Sequence, residues 1–252
     1  MERKTAYITG SSRGIGAALA RAFYHKGYHV ALHCVRNIDR MNELAKTLHT
    51  EGQSLWPDDS PQAKGWAADL SSHAQAKAWF AQAEEAFGPA HVLVNSAGVA
   101  LFGLFQEQTP DDWAQVIHLN LMGTLYCTQL ALPPMLAAHK GVILNISSIW
   151  GNAGASCEAV YAASKGGVNA FTKSLAKELG PCGIRINAIA CGAVNTDMNN
   201  RLTPEEAFAF TQDVPLMRFG QPDEVAALAL FMCSDEAAYL TGQVVTLDGG
   251  YL

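Results

Sequence analysis

Strand-like and helix-like segments alternate along the whole of this 252-residue chain. Each strand-like stretch is a short apolar run rich in β-formers, and a helical stretch separates it from the next. The runs are YIT, HVALHCV, GWAADL, HVLVN, VILNIS, IRINAIA and QVVTLDG. Strands separated by helices become parallel neighbours joined by right-handed crossovers. We therefore predict a single α/β domain over 1–252, with a seven-stranded parallel sheet flanked by helices.

The helices between these runs are predicted from the turn after the first strand to about His25, and over about 38–48, 74–87, 112–138, 160–179 and 224–233. Two other segments are candidates for flexible or inserted pieces. One is the polar segment 53–64, which contains Pro57 and Pro61, and the other is 195–214, after the sixth strand. Ligands of open parallel sheets bind beyond the carboxyl ends of the strands, so we predict a substrate lid around 195–214.

Charge and composition argue against several classes of protein. The formal net charge is −6 and no lysine-arginine run is present, whereas a nucleic-acid surface needs clustered positive charge. No apolar stretch reaches the roughly 20 residues that span a bilayer, and the N-terminus enters a strand at once, leaving no room for a signal peptide. The six cysteines form no CxxC pair. We expect a cytoplasmic protein with reduced thiols, and with no metal, membrane or nucleic-acid partner.

A glycine-rich turn, TGSSRGIG, joins the first strand to the first helix. Glycines let the backbone turn tightly and approach a pyrophosphate, whose charge is favoured by free N–H groups at a helix start. The spacing is GxxxGxG rather than the GxGxxG of many dinucleotide domains, and alone it fits a plain turn equally well. As a nucleotide site it would use Gly10, Ser12, Arg13, Gly14, Ile15 and Gly16.

Tyr161 and Lys165 lie four residues apart in YAASK, on a predicted helix, so both side chains share one face. At ~4–5 Å and an effective dielectric near 20, an ammonium stabilises a phenolate by about 3–4 kcal/mol, or roughly two to three pKa units. We therefore predict that Lys165 lowers the pKa of Tyr161, so that the phenol can exchange a proton with a carbonyl or alcohol oxygen. YxxxK by itself is common and usually marks surface residues.

These motifs resemble those of the short-chain dehydrogenase/reductase family, whose glycine motif is TGxxxGxG. The resemblance covers the whole chain, and the tail PLMRFGQPDEVAALALFMCSDEAAYLTGQVVTLDGG is similar to that of 3-oxoacyl-(acyl-carrier-protein) reductase-like members. It implies a doubly wound Rossmann fold and a serine thirteen residues before the tyrosine. Ser148 stands there, where its hydroxyl would hold the substrate oxygen beside Tyr161. Ser147 faces the other side of the strand and does not fit the family spacing.

The resemblance implies further roles. Asn120 would hold a water chain that links the lysine to solvent, while Tyr161 and Lys165 would also contact the cofactor. The remaining cofactor positions would be Asp69 and Leu70 at the adenine, Asn95, Ala97 and Gly98 after the fourth strand, and Gly192, Val194 and Thr196 at the carboxamide. The chain departs from the family at Ser96 and at Cys191, where proline is usual. Cysteine removes a fixed φ, and its modification beside nicotinamide would inhibit.

The end of the second strand distinguishes the two nicotinamide cofactors. NAD-selective sites usually carry an acidic residue there for the ribose 2′-hydroxyl, but this chain has Cys34, Val35 and Arg36. Arg36 and Arg13 would neutralise a 2′-phosphate through charge-assisted hydrogen bonds. In the family, a basic residue at the Arg13 position accompanies NADP use. We predict NADP(H), with NAD(H) as the alternative; the simplest other explanation of Arg36 is a solvated surface charge.

These residues together predict an oxidoreductase that moves hydride between NADP(H) and a carbonyl or alcohol, either a 3-oxoacyl thioester or a small ketone. The alternatives are an NAD(P)-dependent alcohol, sugar or steroid dehydrogenase and a regulator that senses the dinucleotide without turnover. Intact Ser148, Tyr161 and Lys165 argue against the regulator. The helix end after Lys177 lacks a basic cluster for an acidic carrier protein. The family resemblance also implies a homotetramer.

A partly apolar pocket is indicated by residues near the expected substrate mouth, although such residues more often only pack: Trp150, Cys157, Glu158, Met198 and Phe208. His25, His29 and His33 recur every four residues and superficially suggest a metal site. Gly27 and the second strand interrupt this row, so the histidines cannot share one helical face and we expect no metal there.

Overall fold

The structure, a computed structural model, describes residues 3–199 and 203–252. Its strands are β1 Thr5–Ile8, β2 His29–Cys34, β3 Ala63–Ala67, β4 Val92–Asn95, β5 Gly141–Ser148, β6 Ile184–Cys191 and β7 Val244–Leu247. All neighbours pair in parallel, in the order β3-β2-β1-β4-β5-β6-β7. This is the doubly wound strand order with one added strand. From β1 the chain adds β2 and β3 towards one edge of the sheet, and it then adds β4 to β7 towards the other edge, so the strand order reverses between β1 and β4. The predicted seven-stranded parallel α/β sheet is confirmed.

Helices cover both faces of this sheet. They are α1 Gly14–His25, α2 Ile38–Leu55, α3 His73–Phe87, α4 Pro110–Ile117, α5 Gly123–Ala138, α6 Trp150–Ala153, α7 Ala159–Leu179, α8 Pro204–Gln212 and α9 Pro222–Cys233. Leu19, Leu48 and Met232 represent the apolar core on one face, and Trp79 and Met135 the core on the other. Strands covered on both sides are apolar throughout, which explains the continuous runs in the sequence. Within the described ranges, no helix is long and apolar enough to cross a membrane.

The two ends of the segment 53–64 belong to regular elements, while 56–62 form an irregular connection. Its first residues are the last turn of α2, which runs to Leu55 rather than ending near 48, and its last two belong to β3. The Tyr24 hydroxyl explains this order, because it donates to the Pro61 carbonyl at 2.9 Å. A side chain at Gly52 would strike the same tyrosine, so α2 packs directly on α1 there. Buried packing therefore outweighs the polar character of the segment.

The predicted helix 112–138 is interrupted at the position that matters most for the site. A capping box of Thr109 and Asp112 begins α4 at Pro110. The chain then makes a π-helical turn over His118–Met122 before α5 starts. Thr124 donates its hydroxyl to the Asn120 carbonyl at 2.8 Å. Single π turns are frequent at functional sites, and this one carries Asn120. The predicted helices at 74–87, 160–179 and 224–233 agree with α3, α7 and α9 to within two residues.

Candidate active site

A cavity of about 1100 Å³ lies beyond the carboxyl ends of the strands, on both sides of the point where the strand order reverses. Ordinary small-molecule sites measure roughly 300–1,000 Å³, so this cavity has room for a dinucleotide and a substrate together. Most of the predicted site residues line it: Gly10, Ser12, Arg13, Gly14, Ile15, Gly16, Arg36, Asp69, Ala97, Gly98, Ser148, Tyr161, Lys165, Gly192, Val194 and Thr196.

Three predicted residues do not line the cavity. Leu70 is buried in the apolar core beside α3, because β3 ends at Ala67 and the chain turns inward after Asp69. Asn95 lies inside the sheet, where its amide donates to Asn145 at 2.9 Å and to Thr128 at 3.2 Å. Asn120 is buried behind the cavity wall. The side chains of Leu70 and Asn95 therefore pack inside the fold, and any contact of these residues with a nucleotide would come from their backbone.

The glycine turn fits a pyrophosphate. Gly10 and Gly14 have φ values of 66° and 54°, which favour glycine, and a Cβ at Gly16 would lie 2.1 Å from the Gly10 carbonyl oxygen. The turn therefore needs glycine at these positions, where a side chain would strain the backbone or crowd its neighbours. The first turn of α1 has no acidic residue, and no side-chain hydrogen bond caps its N-terminus; all of its residues belong to the described range 3–199. Its N–H groups suit an anion, as the nucleotide prediction requires.

His33, on the neighbouring strand β2, holds this turn in place by hydrogen bonds, a role that the sequence did not reveal. Its Nδ1 accepts from the Gly10 N–H at 3.0 Å and its Nε2 donates to the Ala68 carbonyl at 2.9 Å. Burial lowers the pKa of His33 to about 4, so the ring is neutral at pH 7 and can accept at Nδ1. Ser11 accepts from the His33 N–H at 2.9 Å. The turn is thus tied to β2 by hydrogen bonds on both sides.

Arginines gather at the end of the cavity next to β2 and α1. Arg13 and Arg36 line it. Arg40, one turn into α2, was not predicted, and its guanidinium lies 3.1 Å from an Asp197 oxygen that Arg13 also contacts at 3.1 Å. Hydrogen bonds from these two arginines lower the pKa of Asp197. The pairs are exposed and contribute little stability, and together with Arg36 the three arginines outnumber the single Asp197 carboxylate between them.

Ser148 and Tyr161 meet at the centre of the cavity. Both are buried, and the Ser148 hydroxyl hydrogen-bonds the Tyr161 side chain, which partly lowers the pKa of the phenol. The Trp150 backbone N–H donates to Ser148 Oγ at 3.2 Å and fixes the serine. Ser147 donates instead to Asn169 Oδ1 at 2.6 Å. The structure therefore brings the predicted serine, and not its neighbour, to the tyrosine.

Lys165 lies over the Tyr161 ring, but it is not among the groups that shift the pKa of the phenol in this structure. Its ammonium donates to the Ile146 carbonyl at 2.9 Å and lies 5.9 Å from the centre of the Tyr161 ring. Burial raises the pKa of Tyr161, and this effect outweighs the hydrogen bond from Ser148; Cys191 and Glu158 raise it further. Burial also lowers the pKa of Lys165 to about 8. The predicted lowering of the tyrosine pKa is therefore not found, because desolvation dominates in this buried pair.

Asn120 connects the π-helical turn to the loop after β4 and to α7. Its Oδ1 accepts from the Val99 N–H at 2.8 Å, and its Nδ2 donates to the Val99 carbonyl at 2.9 Å and to Ser164 Oγ at 3.1 Å. A Cβ at Gly98 would lie 3.1 Å from this Oδ1 and 3.6 Å from the Lys165 ammonium. A side chain at Gly98 would therefore crowd the Asn120 amide.

The predicted substrate mouth is only partly correct. Trp150, Glu158 and Met198 line the cavity, whereas Cys157 and Phe208 do not. Phe208 is exposed and lines a separate shallow cleft with residues such as Met217 and Phe219. Phe210 and Tyr251 line the main cavity instead and were missed. Among the described residues, no group of three or more His, Cys, Asp or Glu side chains is placed to hold a metal ion.

Comparison with known proteins agrees with this geometry. The family model described as enoyl-(acyl carrier protein) reductase matches residues 10–252. The 3-oxoacyl-[acyl-carrier-protein] reductase of Staphylococcus aureus is 36% identical over 247 residues, which cover 98% of this chain and 97% of the relative. The chain belongs to the short-chain dehydrogenase/reductase family. Another relative, the oxidoreductase YmfI of Bacillus subtilis, is 36% identical over 248 residues and 98% of each chain.

A solved short-chain dehydrogenase/reductase also shares the fold. The crystal structure of 3-oxoacyl-[acyl-carrier protein] reductase from Brucella melitensis matches with a TM-score of 0.90 and 33% identity, over 100% of this chain and 92% of the other. The chain is therefore an oxidoreductase of this family, similar to 3-oxoacyl-acyl-carrier-protein reductases, and its family implies a nicotinamide cofactor.

Proposed function

We propose that this protein uses NADPH to reduce a ketone carbonyl to an alcohol, and that it catalyses the reverse oxidation with NADP⁺. The observation that carries the proposal is the buried set of Ser148, Tyr161 and Lys165 in a cavity whose other end is a glycine turn suited to a pyrophosphate. A non-catalytic dinucleotide sensor would need only the turn. The whole set in one cavity therefore supports turnover.

The residues that would hold the cofactor divide along the cavity. The glycine turn and the α1 N-terminus would bind the pyrophosphate, Asp69 with Ala97 the adenosine half, and Gly192, Val194 and Thr196 the carboxamide. Arg13 and Arg36 would bind the 2′-phosphate, and the absence of an acid at the end of the described strand β2 supports NADP(H) over NAD(H). The bound nicotinamide supplies the hydride for reduction and receives it in oxidation.

Tyr161 would donate the proton in reduction. Its raised pKa keeps the phenol protonated at neutral pH, which is the state that a general acid requires. Ser148 would hydrogen-bond the carbonyl oxygen and stabilise the charge that forms as the carbon accepts hydride. The proton then moves from Tyr161 to that oxygen, and the alcohol forms. Lys165 would stabilise the remaining tyrosinate, and we propose that water near Asn120 returns the proton from solvent.

This protonation state is the one from which reduction starts. Oxidation needs Tyr161 as a base, and a phenol with a raised pKa is mostly in the wrong form for it.

The 195–214 segment would act as a lid, since α8 brings Phe210 and Glu206 to the cavity wall; its residues 200–202 lie outside the described ranges. A single domain, a cytoplasmic location and a homotetramer belong to the same proposal and rest on family likeness alone.

The test is NADPH oxidation with a panel of 3-oxoacyl thioesters, ketones and sugars, repeated with Tyr161→Phe. We expect turnover of at least one carbonyl, and a loss of about 10³-fold in kcat in the variant, whose NADPH affinity is retained. Tight NADPH binding without turnover of any carbonyl would favour the sensor. Undiminished turnover by Tyr161→Phe would remove the tyrosine from the proposed role.

A further inference from the structure

The carboxylate of Asp197 lies between two arginines at the nucleotide end of the cavity. One of its oxygens, Oδ2, accepts hydrogen bonds from Arg13 Nη1 and from Arg40 Nη1, each at 3.1 Å. Asp197 and Arg13 both line the cavity, as does Arg36. An acidic side chain of the protein itself therefore occupies one of the two arginines that are proposed above to bind the 2′-phosphate.

These charged residues come from separate parts of the chain. Arg13 directly precedes α1, Arg40 lies near the start of α2, and Asp197 begins a short 3-10 helix within the proposed lid. The neighbouring Thr196 packs on the glycine turn, because a Cβ at Gly14 would lie 3.3 Å from the Thr196 Cγ2. The start of the lid therefore lies against the nucleotide turn and brings a negative charge to it.

The contacts of Asp197 are of a kind that a ligand can replace. The side chains of Arg13, Arg40 and Asp197 are 55%, 60% and 42% exposed. Exposed ion pairs contribute little net free energy, because water screens the charges and the long side chains lose entropy when they pair. Hydrogen bonds from the two arginines lower the pKa of Asp197, so the carboxylate is ionised at neutral pH. It is thus a weakly held anion on Arg13.

A 2′-phosphate is the stronger partner for an arginine. A phosphate monoester carries a charge of about −1.5 to −2 at pH 7 and offers three acceptor oxygens, whereas a carboxylate carries a single charge. If both anions stayed on Arg13, they would repel each other across a few ångströms. NADH has a hydroxyl group in place of this phosphate, so it can bind without disturbing Asp197.

We propose that Asp197 is a specificity-determining residue that competes with the 2′-phosphate of NADP(H) for Arg13. Binding of NADP(H) displaces the carboxylate, and the cost of this displacement weakens NADP(H) binding without affecting NAD(H). The proposal rests on the NADP(H)-dependent function given above and identifies a residue that limits its preference for that cofactor. It also implies that removing an acidic residue from the cavity wall improves the binding of one nucleotide and not of the other.

Calorimetric titration of NADPH and NADH tests the competition. We expect Asp197→Asn to lower the Kd for NADPH about fivefold and to change the Kd for NADH by less than about twofold. Asp197→Ser should give the same result, which excludes an effect of the new amide. The control Glu205→Gln removes one charge from the exposed first turn of α8, outside the cavity lining, and should change neither Kd.

Two smaller probes separate the phosphate from the nicotinamide. Adenosine 2′,5′-bisphosphate should bind about fivefold more tightly to Asp197→Asn than to the parent, whereas 5′-AMP should bind to both alike. This readout needs neither hydride transfer nor a carbonyl substrate. A gain for NADPH without a gain for the bisphosphate would place the effect of Asp197 at the nicotinamide half and would overturn the proposal.

Three other results would also overturn it. Weaker NADPH binding in Asp197→Asn would mean that the carboxylate orients Arg13 for the phosphate. An equal gain for NADH would mean a general effect of charge, and no change for either nucleotide would mean that the two anions do not compete. None of these results affects the reductase function. A parent that binds NADPH and NADH alike would instead remove the proposed cofactor preference, while the response of Asp197→Asn would still decide whether the carboxylate competes.

Discussion

The nucleotide end of the cavity is made of backbone held by hydrogen bonds to the buried His33, whereas the substrate end is made of half-buried aromatic side chains. At the first end, His33 holds the turn by a hydrogen bond. Each of the three glycines of the turn lies so close to neighbouring atoms that an added Cβ would crowd them. At the second, Trp150, Tyr251 and Phe210 come from three separate segments and touch only through their rings. A turn that must bind one fixed ligand tolerates little change, while a wall of side chains can be altered residue by residue.

Lys165 lies between the two ends and provides the largest test of this contrast. We expect Lys165→Met to lower kcat about 10³-fold, because the tyrosinate loses its cation. The same change should stabilise the fold at pH 7. A pKa lowered from 10.5 to about 8 corresponds to about 3 kcal/mol of penalty for the buried charge, partly offset by the lost bond to Ile146, so a gain of about 2 kcal/mol is expected.

The stability gain of Lys165→Met should decrease as the pH rises. The folded protein releases the Lys165 proton near pH 8, whereas the unfolded chain holds it to 10.5, so the penalty is complete below pH 8 and disappears as pH rises to 10.5. Urea unfolding of Lys165→Met and the parent should converge over that range. Lys173→Met, an exposed change on α7, is the control and should shift neither stability nor kcat. A variant less stable than the parent at pH 7 would contradict this account.

The arginines test whether the nucleotide end selects NADP(H). We expect Arg13→Ala and Arg36→Ala each to weaken NADPH binding about 10- to 100-fold and NADH binding hardly at all, since only NADPH carries the 2′-phosphate. Calorimetric titration of both nucleotides measures the difference. Arg40→Ala shows whether the third arginine, seen only in the structure, contributes to the same contact. Equal losses for NADPH and NADH would mean that these arginines do not recognise the 2′-phosphate.

His33 tests the rigidity of the turn itself. His33→Leu removes the acceptor for Gly10 and the donor to Ala68 in a buried place. We expect about a tenfold loss of affinity for both nucleotides, because the turn is no longer held for the pyrophosphate, and about 2 kcal/mol less stability. His73→Leu, an exposed change at the start of α3 that does not line the cavity, serves as the control. NADPH affinity that is unchanged in His33→Leu would show that the glycines alone maintain the turn.

Sequence reasoning found residues that line the cavity where they form local patterns. The glycine turn and the four-residue step from Tyr161 to Lys165 are local patterns, and the alternation of strands and helices determines the sheet. It failed where tertiary contact decides. His33 acts through β2 on a turn more than twenty residues earlier, and Tyr251 reaches the cavity only because the chain end folds back. The pKa of Tyr161 was predicted from a pairwise charge, but burial, which no sequence pattern displays, has the larger effect.

Cys191 supplies the smallest expected effect and tests the boundary between the two ends. It lines the cavity where the family usually has proline, and burial raises the pKa of its thiol to about 12, against a reference of 9.0. The thiolate is therefore about 10³-fold scarcer than in an exposed cysteine, and iodoacetamide at pH 8 should modify Cys191 only slowly. Mass spectrometry should find the half-buried Cys157 and Cys182 modified first, with activity retained. The slow inhibition that follows should be absent in Cys191→Ser and delayed by saturating NADPH. Two results would contradict this position for Cys191: inhibition as fast as the modification of Cys182, and inhibition that NADPH does not slow. Either result would mean that the thiol responsible is accessible and lies away from the nicotinamide.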